Sequence, residues 1–235
     1  MLGTIINCIA VIIGSFLGIT LGKLYTEEMK EITTKVIGLI TIIIGIQMAL
    51  ASPLTEVQFL IMMFSLVIGA IIGVILQIEG NIDRFGNWLK SRARSTESTF
   101  VEGFVVASII YETGPLAILG AIKDGINQEI DLLLIKSGLD GIMSIALTAS
   151  LGIGVIFSII PMALYQGSIT ILAALLGSEL SSTVQTMIYA VGGVLILGLG
   201  IRILEIKEIP VGNMVPSVLL VIPFTLILEF IQNLS

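Results

Sequence analysis

Long apolar runs separated by short polar segments make up almost the whole chain. A helix crosses the hydrocarbon core of a membrane with about 20 apolar residues. The pattern therefore predicts an all-α polytopic membrane protein of about eight transmembrane helices, forming one transmembrane domain over residues 1–235. The predicted spans cover residues 2–21, 33–52, 58–79, 99–123, 131–151, 153–177, 184–204 and 213–232. The fifth and sixth spans divide at Gly152 or Gly154, with Pro161 as the alternative, because these residues favour helix breaks.

The composition excludes a soluble fold and several kinds of site. Of 235 residues, 56% are hydrophobic and 12% are charged, whereas a soluble domain usually carries about 25% charged residues. The chain has no histidine and one cysteine, Cys8, which excludes His-based triads, His-liganded zinc and an internal disulfide. No P-loop is present either. We therefore expect no enzymatic activity, no cofactor and no nucleic-acid partner, and the pattern leaves open whether a metal binds.

Basic residues concentrate in three polar segments of the chain. Segments 22–35, 80–98 and 202–209 hold nine of the eleven Lys and Arg residues. With eight spans these segments lie on one side of the membrane, which the positive-inside rule identifies as the cytoplasmic side. The pattern thus predicts a multi-pass cell-membrane protein with both termini outside.

Segment 80–98 combines basic residues with apolar residues on one helix face, namely Ile82, Phe85, Trp88 and Leu89. This spacing predicts an interfacial amphipathic helix that lies on the lipid bilayer, with Trp88 near the headgroups. The alternative is a binding surface for an anionic partner.

Two stretches of the sequence resemble one another, at residues 21–48 and 176–203. Each has a Leu-Gly pair, a short polar link and an apolar helix with glycines at similar depth. In the predicted span order the two junctions lie on opposite sides of the membrane. The similarity predicts an inverted repeat of spans 1–3 and 6–8, as in many secondary transporters, with chance similarity between Gly-rich helices as the alternative.

Small residues recur at four-residue spacing in two of the spans, as Gly14, Gly18 and Gly22 and as Gly69 and Gly73. Such stripes allow helix backbones to approach closely. We expect them to pack helices within one chain, with a homodimer seam as the alternative.

The fourth span carries a charge at its centre and a helix-breaking pair directly after it. Glu112 lies near mid-depth, and Gly114 and Pro115 follow. Because proline removes a backbone donor and glycine adds freedom, the span is predicted to break here and to leave carbonyl groups free. In lipid such a break is tolerated only inside protein or beside a cavity. The alternative is a simple proline kink needed for packing.

The fifth span carries a second pair of charges, Lys136 and Asp140, which share one helix face, and Ser144 continues the polar stripe. Charges inside a membrane are costly and often mark function. The sequence predicts a mid-membrane site between spans 4, 5 and 6 for an ion or a small charged solute. Its candidate residues are Glu112, Gly114, Pro115, Lys136, Asp140, Ser144 and Gln166. The alternative is an ion pair that only stabilises the fold.

Long motifs in the middle of the chain carry a family resemblance. They read GPLAILGAIKDG (114–125), LLLIKSGLDGIMSIALTASLGIGVIFSIIP (132–161) and YQG (165–167), and GSFLGITLG (14–22) belongs with them. The chain resembles over its whole length the YqgA/YdfK-like family of bacterial integral-membrane proteins, a domain of unknown function (family 554). The resemblance implies a small prokaryotic inner-membrane protein without soluble domains, with no established activity and a link to biofilm formation. The motif residues it indicates are Gly114, Pro115, Asp124, Lys136, Asp140, Gly154 and Gln166.

The chain departs from the family pattern at one point. A cysteine or a small residue often precedes the Gly-Pro pair in the family, whereas Glu112 and Thr113 precede it here. Glu112 is therefore a feature of this protein rather than of the family pattern.

Two functions fit these observations. The first is a secondary transporter or ion-conducting protein, for which we expect a hydrated cavity that reaches Lys136 or Asp140. The second is a non-transporting membrane protein that acts in regulation, sensing or assembly through partners. A lysine and two carboxylates fit a proton, a metal cation, a carboxylate or an amino acid, so the sequence leaves the substrate open.

Overall fold

The computed structural model of the chain describes residues 1–24, 26–113, 115–176 and 180–232. For six of these residues the description covers the backbone only: Glu27, Lys30, Thr113, Pro115, Leu119 and Leu176.

The described residues form eleven α-helices and one short 3₁₀ helix, and they contain no β-strand. The α-helices are α1 (Leu2–Gly22), α2 (Glu27–Ala49), α3 (Glu56–Ile75), α4 (Ile78–Arg92), α5 (Phe100–Thr113), α6 (Pro115–Ile126), α7 (Asp131–Leu151), α8 (Ile159–Leu176), α9 (Ser182–Ile203), α10 (Val211–Met214) and α11 (Pro216–Gln232). The prediction of an all-α polytopic membrane protein is confirmed.

Seven segments of the described chain are long and apolar enough to cross a membrane, and the count rises to eight if α5 and α6 form one span. The directions of residues 100–112 and 116–126 differ by 72°. Gly114, where the span is predicted to break, lies outside the described residues. The broken span therefore stays a prediction, and eight is the upper count of spans.

The fifth and sixth predicted spans divide at Gly152. α7 ends at Leu151, and Gly152 has a φ of +85°, a backbone conformation that favours glycine. A 3₁₀ helix, Ile153–Ser158, then leads into α8. Pro161 lies in the first turn of α8, where the missing N–H of proline is tolerated, so this residue does not mark the boundary.

The chain divides into two compact units. Unit 1 comprises Met1–Gly38 and Ile82–Glu179, and unit 2 comprises Leu39–Asn81 and Leu180–Ser235. Both α2 and α4 have residues in each unit. The single transmembrane domain 1–235 stays a prediction, because compact units of this size also occur within one domain.

Unit 1 is organised around the close, parallel packing of α1 and α7. A Cβ atom added at Gly14 would overlap the carbonyl oxygen of Gly141, and one added at Gly18 would lie 2.6 Å from the carbonyl oxygen of Ile145. Nearer the start of both helices, Gly3 lies against Leu133. The glycine stripe thus packs within the chain, as expected, and it brings the two backbones into contact.

The α5–α6 pair runs the length of unit 1 in the opposite direction. Near the start of α5, Gly103 lies 3.1 Å, measured from an ideal Cβ, from the carbonyl oxygen of Leu151 at the end of α7. In α6, Gly120 lies against Leu133 near the start of α7. The pair therefore connects the two ends of the unit.

Unit 2 contains a second glycine contact. Along α3, Gly69 packs against Ser217, and a Cβ at Gly73 would overlap the carbonyl oxygen of Asn213. α3 and α11 are therefore antiparallel. In the first turn of α4, Glu79 forms an ion pair with Arg202 near the end of α9 and accepts a hydrogen bond from the Gly212 backbone N–H of α10.

Helix α4 lies within the part of the chain where the sequence predicts an amphipathic helix, but the four apolar residues of the predicted face differ in exposure. Gly86 and Leu89 are buried, whereas Phe85 and Trp88 are exposed and stack with their ring centroids 5.6 Å apart. The Arg92 guanidinium lies 5.5 Å from the centroid of Trp88. The helix ends at Arg92, so it covers only part of the predicted segment, and its place on the bilayer surface stays a prediction.

Candidate functional site in unit 1

The centre of unit 1 holds an ion pair on α7. Lys136 and Asp140 lie one turn apart, and the Lys136 ammonium donates to the Asp140 carboxylate. Only 4% of Lys136 and 7% of Asp140 are exposed. The sequence predicts this pair from its spacing, and the structure adds that both partners face the interior of the unit.

Helix α1 supplies a third polar group to the pair. The Asn7 side-chain nitrogen donates to Asp140 Oδ2 at 2.9 Å, and it lies 3.3 Å from the Met162 sulfur of α8. Because glycines bring α1 against α7, a short amide is long enough to reach the carboxylate. Asp140 is thus held by donors from two helices.

Tyr111 of α5 lies on the other side of the ion pair. The Lys136 ammonium lies 5.7 Å from the centroid of the Tyr111 ring, within the range of a cation–π interaction. The Tyr111 hydroxyl lies 2.6 Å from Ser144 Oγ, and Ser144 donates to the backbone oxygen of Asp140. Since the Ser144 proton is used there, Tyr111 donates to Ser144.

Glu112 follows Tyr111 on α5 and adds a second carboxylate to this part of unit 1. Its charge interacts electrostatically with that of Lys136. One of its carboxylate oxygens, Oε1, is buried and has no hydrogen-bond partner in the described part of the chain. Gly114 and the side chain of Pro115 lie outside the described residues, so their place in the site stays a prediction.

Gln166 of α8 is fully buried and has no hydrogen-bond partner for either end of its amide among the described residues. Asn7 Oδ1 and Thr4 Oγ1 of α1 are likewise buried and have no hydrogen-bond partner among the described residues. Such groups are rare, since burying a polar group without a hydrogen bond costs free energy.

Two of these groups, Gln166 and Thr4, lie at about the same level of the unit. On α8, Met162 contacts Asn7, and an ideal Cβ at Gly167 would lie 3.2 Å from the Met1 side chain, so α8 is antiparallel to α1. Gln166 is therefore level with the first turns of α1, where Thr4 lies. We call Asn7, Tyr111, Glu112, Lys136, Asp140 and Ser144, together with Gln166 one helical turn beyond Met162 on α8, the unit 1 cluster.

A cavity of about 500 Å³ opens at the end of the unit where α1 begins. Met1, Leu2, Asp124 and Thr170 are among its lining residues. Asp124 is itself buried, and it accepts a hydrogen bond of 3.1 Å from the Gly3 backbone N–H. The sequence predicts a cavity that reaches Lys136 or Asp140. This cavity does not reach them, because neither side chain lines it.

Some site residues were missed by the sequence analysis. Asn7, Tyr111 and Met162 all contact the charged pair or its partners. A buried amide within an apolar span is itself an indication of function, so Asn7 could have been found by the rule that identified Gln166. Tyr111 and Met162 have no comparable signal, because aromatic and thioether side chains are ordinary in apolar helices.

The described part of the chain contains no group of three or more His, Cys, Asp or Glu residues placed to hold a metal ion. The unit 1 cluster offers one ammonium, two carboxylates, two amides and two hydroxyls for ion pairing, hydrogen bonding and proton exchange.

The motifs of the chain have counterparts in known proteins. A family described as "Protein of unknown function (DUF554)" matches residues 2–226. The "Uncharacterized membrane protein YdfK" of Bacillus subtilis is 30% identical over 221 residues, which cover 94% of this chain and 93% of that protein. The "Uncharacterized protein YqgA" of Escherichia coli is 29% identical over 230 residues, which cover 96% of each chain. No solved structure gives a significant match. The resemblance drawn from the motifs is confirmed.

Proposed function

This multi-pass membrane protein belongs to the DUF554 family, and we propose that it moves an ion or a small charged solute across the membrane through the interior of unit 1. The unit 1 cluster is the binding site of this proposal. Lys136 would meet an anionic group and Asp140 or Glu112 a cationic one.

The observation that carries the proposal is the set of buried polar atoms without partners beside a buried ion pair. Glu112 Oε1, Asn7 Oδ1 and both ends of the Gln166 amide lack hydrogen-bond partners in the described chain. In a membrane-spanning bundle each such group is costly unless water or a ligand satisfies it. A site that only stabilised the fold would be more stable with apolar side chains in these places.

The closed packing around the pair requires that binding and release involve a conformational change. The cavity at the α1 end does not reach Lys136 or Asp140. The bend between α5 and α6 lies directly after Glu112 and offers a place for such a change, because a break in a helix frees backbone groups and allows its halves to move.

Ligand-dependent thermal stability tests the proposal. Purified protein would be screened against sodium and potassium salts, simple carboxylates and amino acids, since a ligand that binds the folded state raises its melting temperature. We expect at least one compound to stabilise the wild type but not the Lys136→Gln/Asp140→Asn variant. The same compound should enter vesicles with the wild type and not with that variant.

The control for the screen is Ser168→Ala, because Ser168 is exposed on α8 and bonds only to its own helix backbone. This variant should respond to ligands as the wild type does. Stabilisation that is equal in all three proteins, or uptake that survives loss of the pair, would contradict the proposal.

The closed interior favours a second candidate, a non-transporting membrane protein that acts in regulation, sensing or assembly. Lys136 and Asp140 bond to each other and to Asn7, as in a pair that serves the fold alone. The exposed Phe85, Trp88 and Arg92 of α4 then offer a surface for a partner. Stoichiometric co-purification of a protein that is lost in Trp88→Ala would favour this candidate.

A further inference from the structure

Polar groups lie at successive levels between the cavity at the α1 end and the central ion pair. Thr170 lines the cavity, and its hydroxyl donates to the backbone oxygen of Gln166 at 2.9 Å, one helical turn deeper. Thr4 is level with Gln166, and Asn7 follows Thr4 on the same face of α1. Asn7 then bonds to Asp140.

Three members of this series carry the buried atoms without partners. They are Thr4 Oγ1, both polar atoms of the Gln166 amide and Asn7 Oδ1. Buried groups of this kind are commonly satisfied by ordered water, which needs two or more polar partners. The series therefore has the donors and acceptors that a file of water molecules would need between the cavity and Asp140.

The charges at the end of the series do not balance. Lys136 carries one positive charge, whereas Asp140 and Glu112 each carry a negative charge when ionised. An excess negative charge inside a membrane-spanning unit is costly, so uptake of one positive charge is favourable. A metal cation would need several oxygen ligands around it, whereas a proton binds a single carboxylate oxygen. A proton is the cation that fits.

We propose that Asp140 is a proton-binding site, reached from the cavity at the α1 end through Gln166, Thr4 and Asn7. When a proton binds the Asp140 carboxylate, the acid becomes neutral and the Lys136 ammonium, still charged, moves to the Glu112 carboxylate. Release of the proton reverses both steps. The net charge of the three groups changes from −1 to 0 and back. This inference rests on the proposed function, in which the proton is the transported or coupling ion.

Other groups that face the site enter the same balance. On α1 these are Asn7 and Cys8, which lies within electrostatic range of Lys136. Tyr111 faces the site from α5, and Tyr165 of α8 interacts with Glu112. On α6 the charged residues are Lys123 and Asp124, at the end where the cavity opens.

Infrared difference spectroscopy tests the proton site directly. The protein, reconstituted in phosphatidylcholine vesicles without added solute, would be taken from high to low pH while the carbonyl stretch of protonated carboxylic acids is recorded. We expect an acid band in the wild type, its replacement in Lys136→Gln/Asp140→Asn by a band of different frequency from Glu112, and a changed frequency in Asp140→Glu. The double variant removes one positive and one negative charge, so it does not leave the Asp140 carboxylate buried without its cation, and Glu112 is the carboxylate left to titrate.

Glu112→Gln tests the second half of the proposal. Without its negative charge the site is already neutral, so the Asp140 band should remain and its midpoint should shift to lower pH. A band that is lost in Glu112→Gln, or that ignores both Asp140 substitutions, would place the proton elsewhere and overturn the proposal.

The route is tested by transfer of the vesicles from H₂O to D₂O. We expect the acid proton to exchange more slowly in Gln166→Leu than in the wild type and the Ser168→Ala control. Unchanged exchange in Gln166→Leu would overturn the route. The infrared measurement uses no solute, so it is independent of transport. If Asp140 titrates but the protein transports nothing, the proposed function is disproved and the proton site still stands.

Discussion

Asn7 and Asp140 are 133 positions apart in the chain, yet they share a hydrogen bond in the centre of unit 1. Asn7 is a single amide in an apolar span, and the spacing of residues in α1 alone gives it no partner. Its role depends on the approach of α1 to α7. At the scale of residues, the sequence predicted which charges lie within the membrane, and the structure determined which neutral groups surround them.

Removal of one partner of the buried ion pair should be far more harmful than removal of both. Lys136→Ala leaves the Asp140 carboxylate buried without its cation, a loss of about 3–5 kcal/mol in free energy of unfolding. Lys136→Met/Asp140→Leu removes both charges and should lie much closer to the wild type. Thermal unfolding in detergent measures the difference.

The matched control for this comparison is Lys35, which pairs with Glu31 at the same four-residue spacing but on the surface, with the two side chains 57% and 67% exposed. Lys35→Ala should change stability by less than about 0.5 kcal/mol. Equal effects of Lys35→Ala and Lys136→Ala would contradict the burial of the central pair.

At the scale of elements, glycines decide which helices meet. Gly14 and Gly18 of α1 lie against the backbone of α7, and Gly154, a residue of the family motif, lies against the backbone of Phe100 at the start of α5. Because glycine has no Cβ, these helices approach until the backbone of one contacts the carbonyl oxygens of the next. The four-residue spacing predicted close packing, whereas the partner of each stripe followed from the tertiary structure.

A single methyl group should separate α1 from α7. Gly14→Ala places a Cβ on the carbonyl oxygen of Gly141, so the helices must move apart and the Asn7–Asp140 bond weakens. We expect a clear fall in melting temperature and, with it, loss of any ligand response.

Gly138→Ala is the control for this substitution, since a Cβ at Gly138 would meet nothing within 4 Å. Alanine also favours helix over glycine by up to about 1 kcal/mol, so this variant should be as stable as the wild type or slightly more stable. Destabilisation of both variants to the same extent would show that the close approach is not the cause.

At the scale of the whole molecule, the direction of α7 constrains the number of spans. α1 and α7 are parallel, so an odd number of crossings must separate the end of α1 from the start of α7. α2 and α3 provide two crossings, and the α5–α6 pair, which connects the two ends of unit 1, provides the third. Eight spans with both termini on one side stay a prediction, for which each of these three elements must cross the membrane.

Reporter fusions test this topology. A reporter enzyme that is active only outside the cytoplasm should be active when it is fused after residue 54, after residue 128 or at the C-terminus. A reporter that is active only in the cytoplasm should be active when it is fused after residue 95. The basic segments predict that orientation by the positive-inside rule. A cytoplasmic C-terminus combined with an outside residue 54 would contradict eight spans, and a complete inversion would contradict the orientation alone.

The predicted inverted repeat stays a prediction at this scale. α1 and α8 lie in unit 1, α3 and α11 lie in unit 2, and α2 has residues in both units whereas α9 lies in unit 2. Superposition of the two sets of helices by an in-plane two-fold axis is the measurement that decides it.

The sequence by itself determined the membrane, the helices and the charged residues within them. Twelve per cent charged residues cannot cover a soluble surface, and apolar runs of span length have only one stable form in lipid, since every backbone group must bond within its own helix. The pair Lys136 and Asp140 followed from the same local logic, because residues four apart share a helix face.

Only the tertiary structure decided that Asn7 and Tyr111 contact the pair, that Met162 contacts Asn7, and that Gln166 is buried without a hydrogen-bond partner among the described residues. The physical reason is the separation along the chain of the residues that each interaction joins. Helix formation and lipid burial depend on residues within a few turns, so the sequence carries them directly. Contacts between distant spans depend on where glycines let backbones touch, and no local pattern specifies which stripe meets which helix.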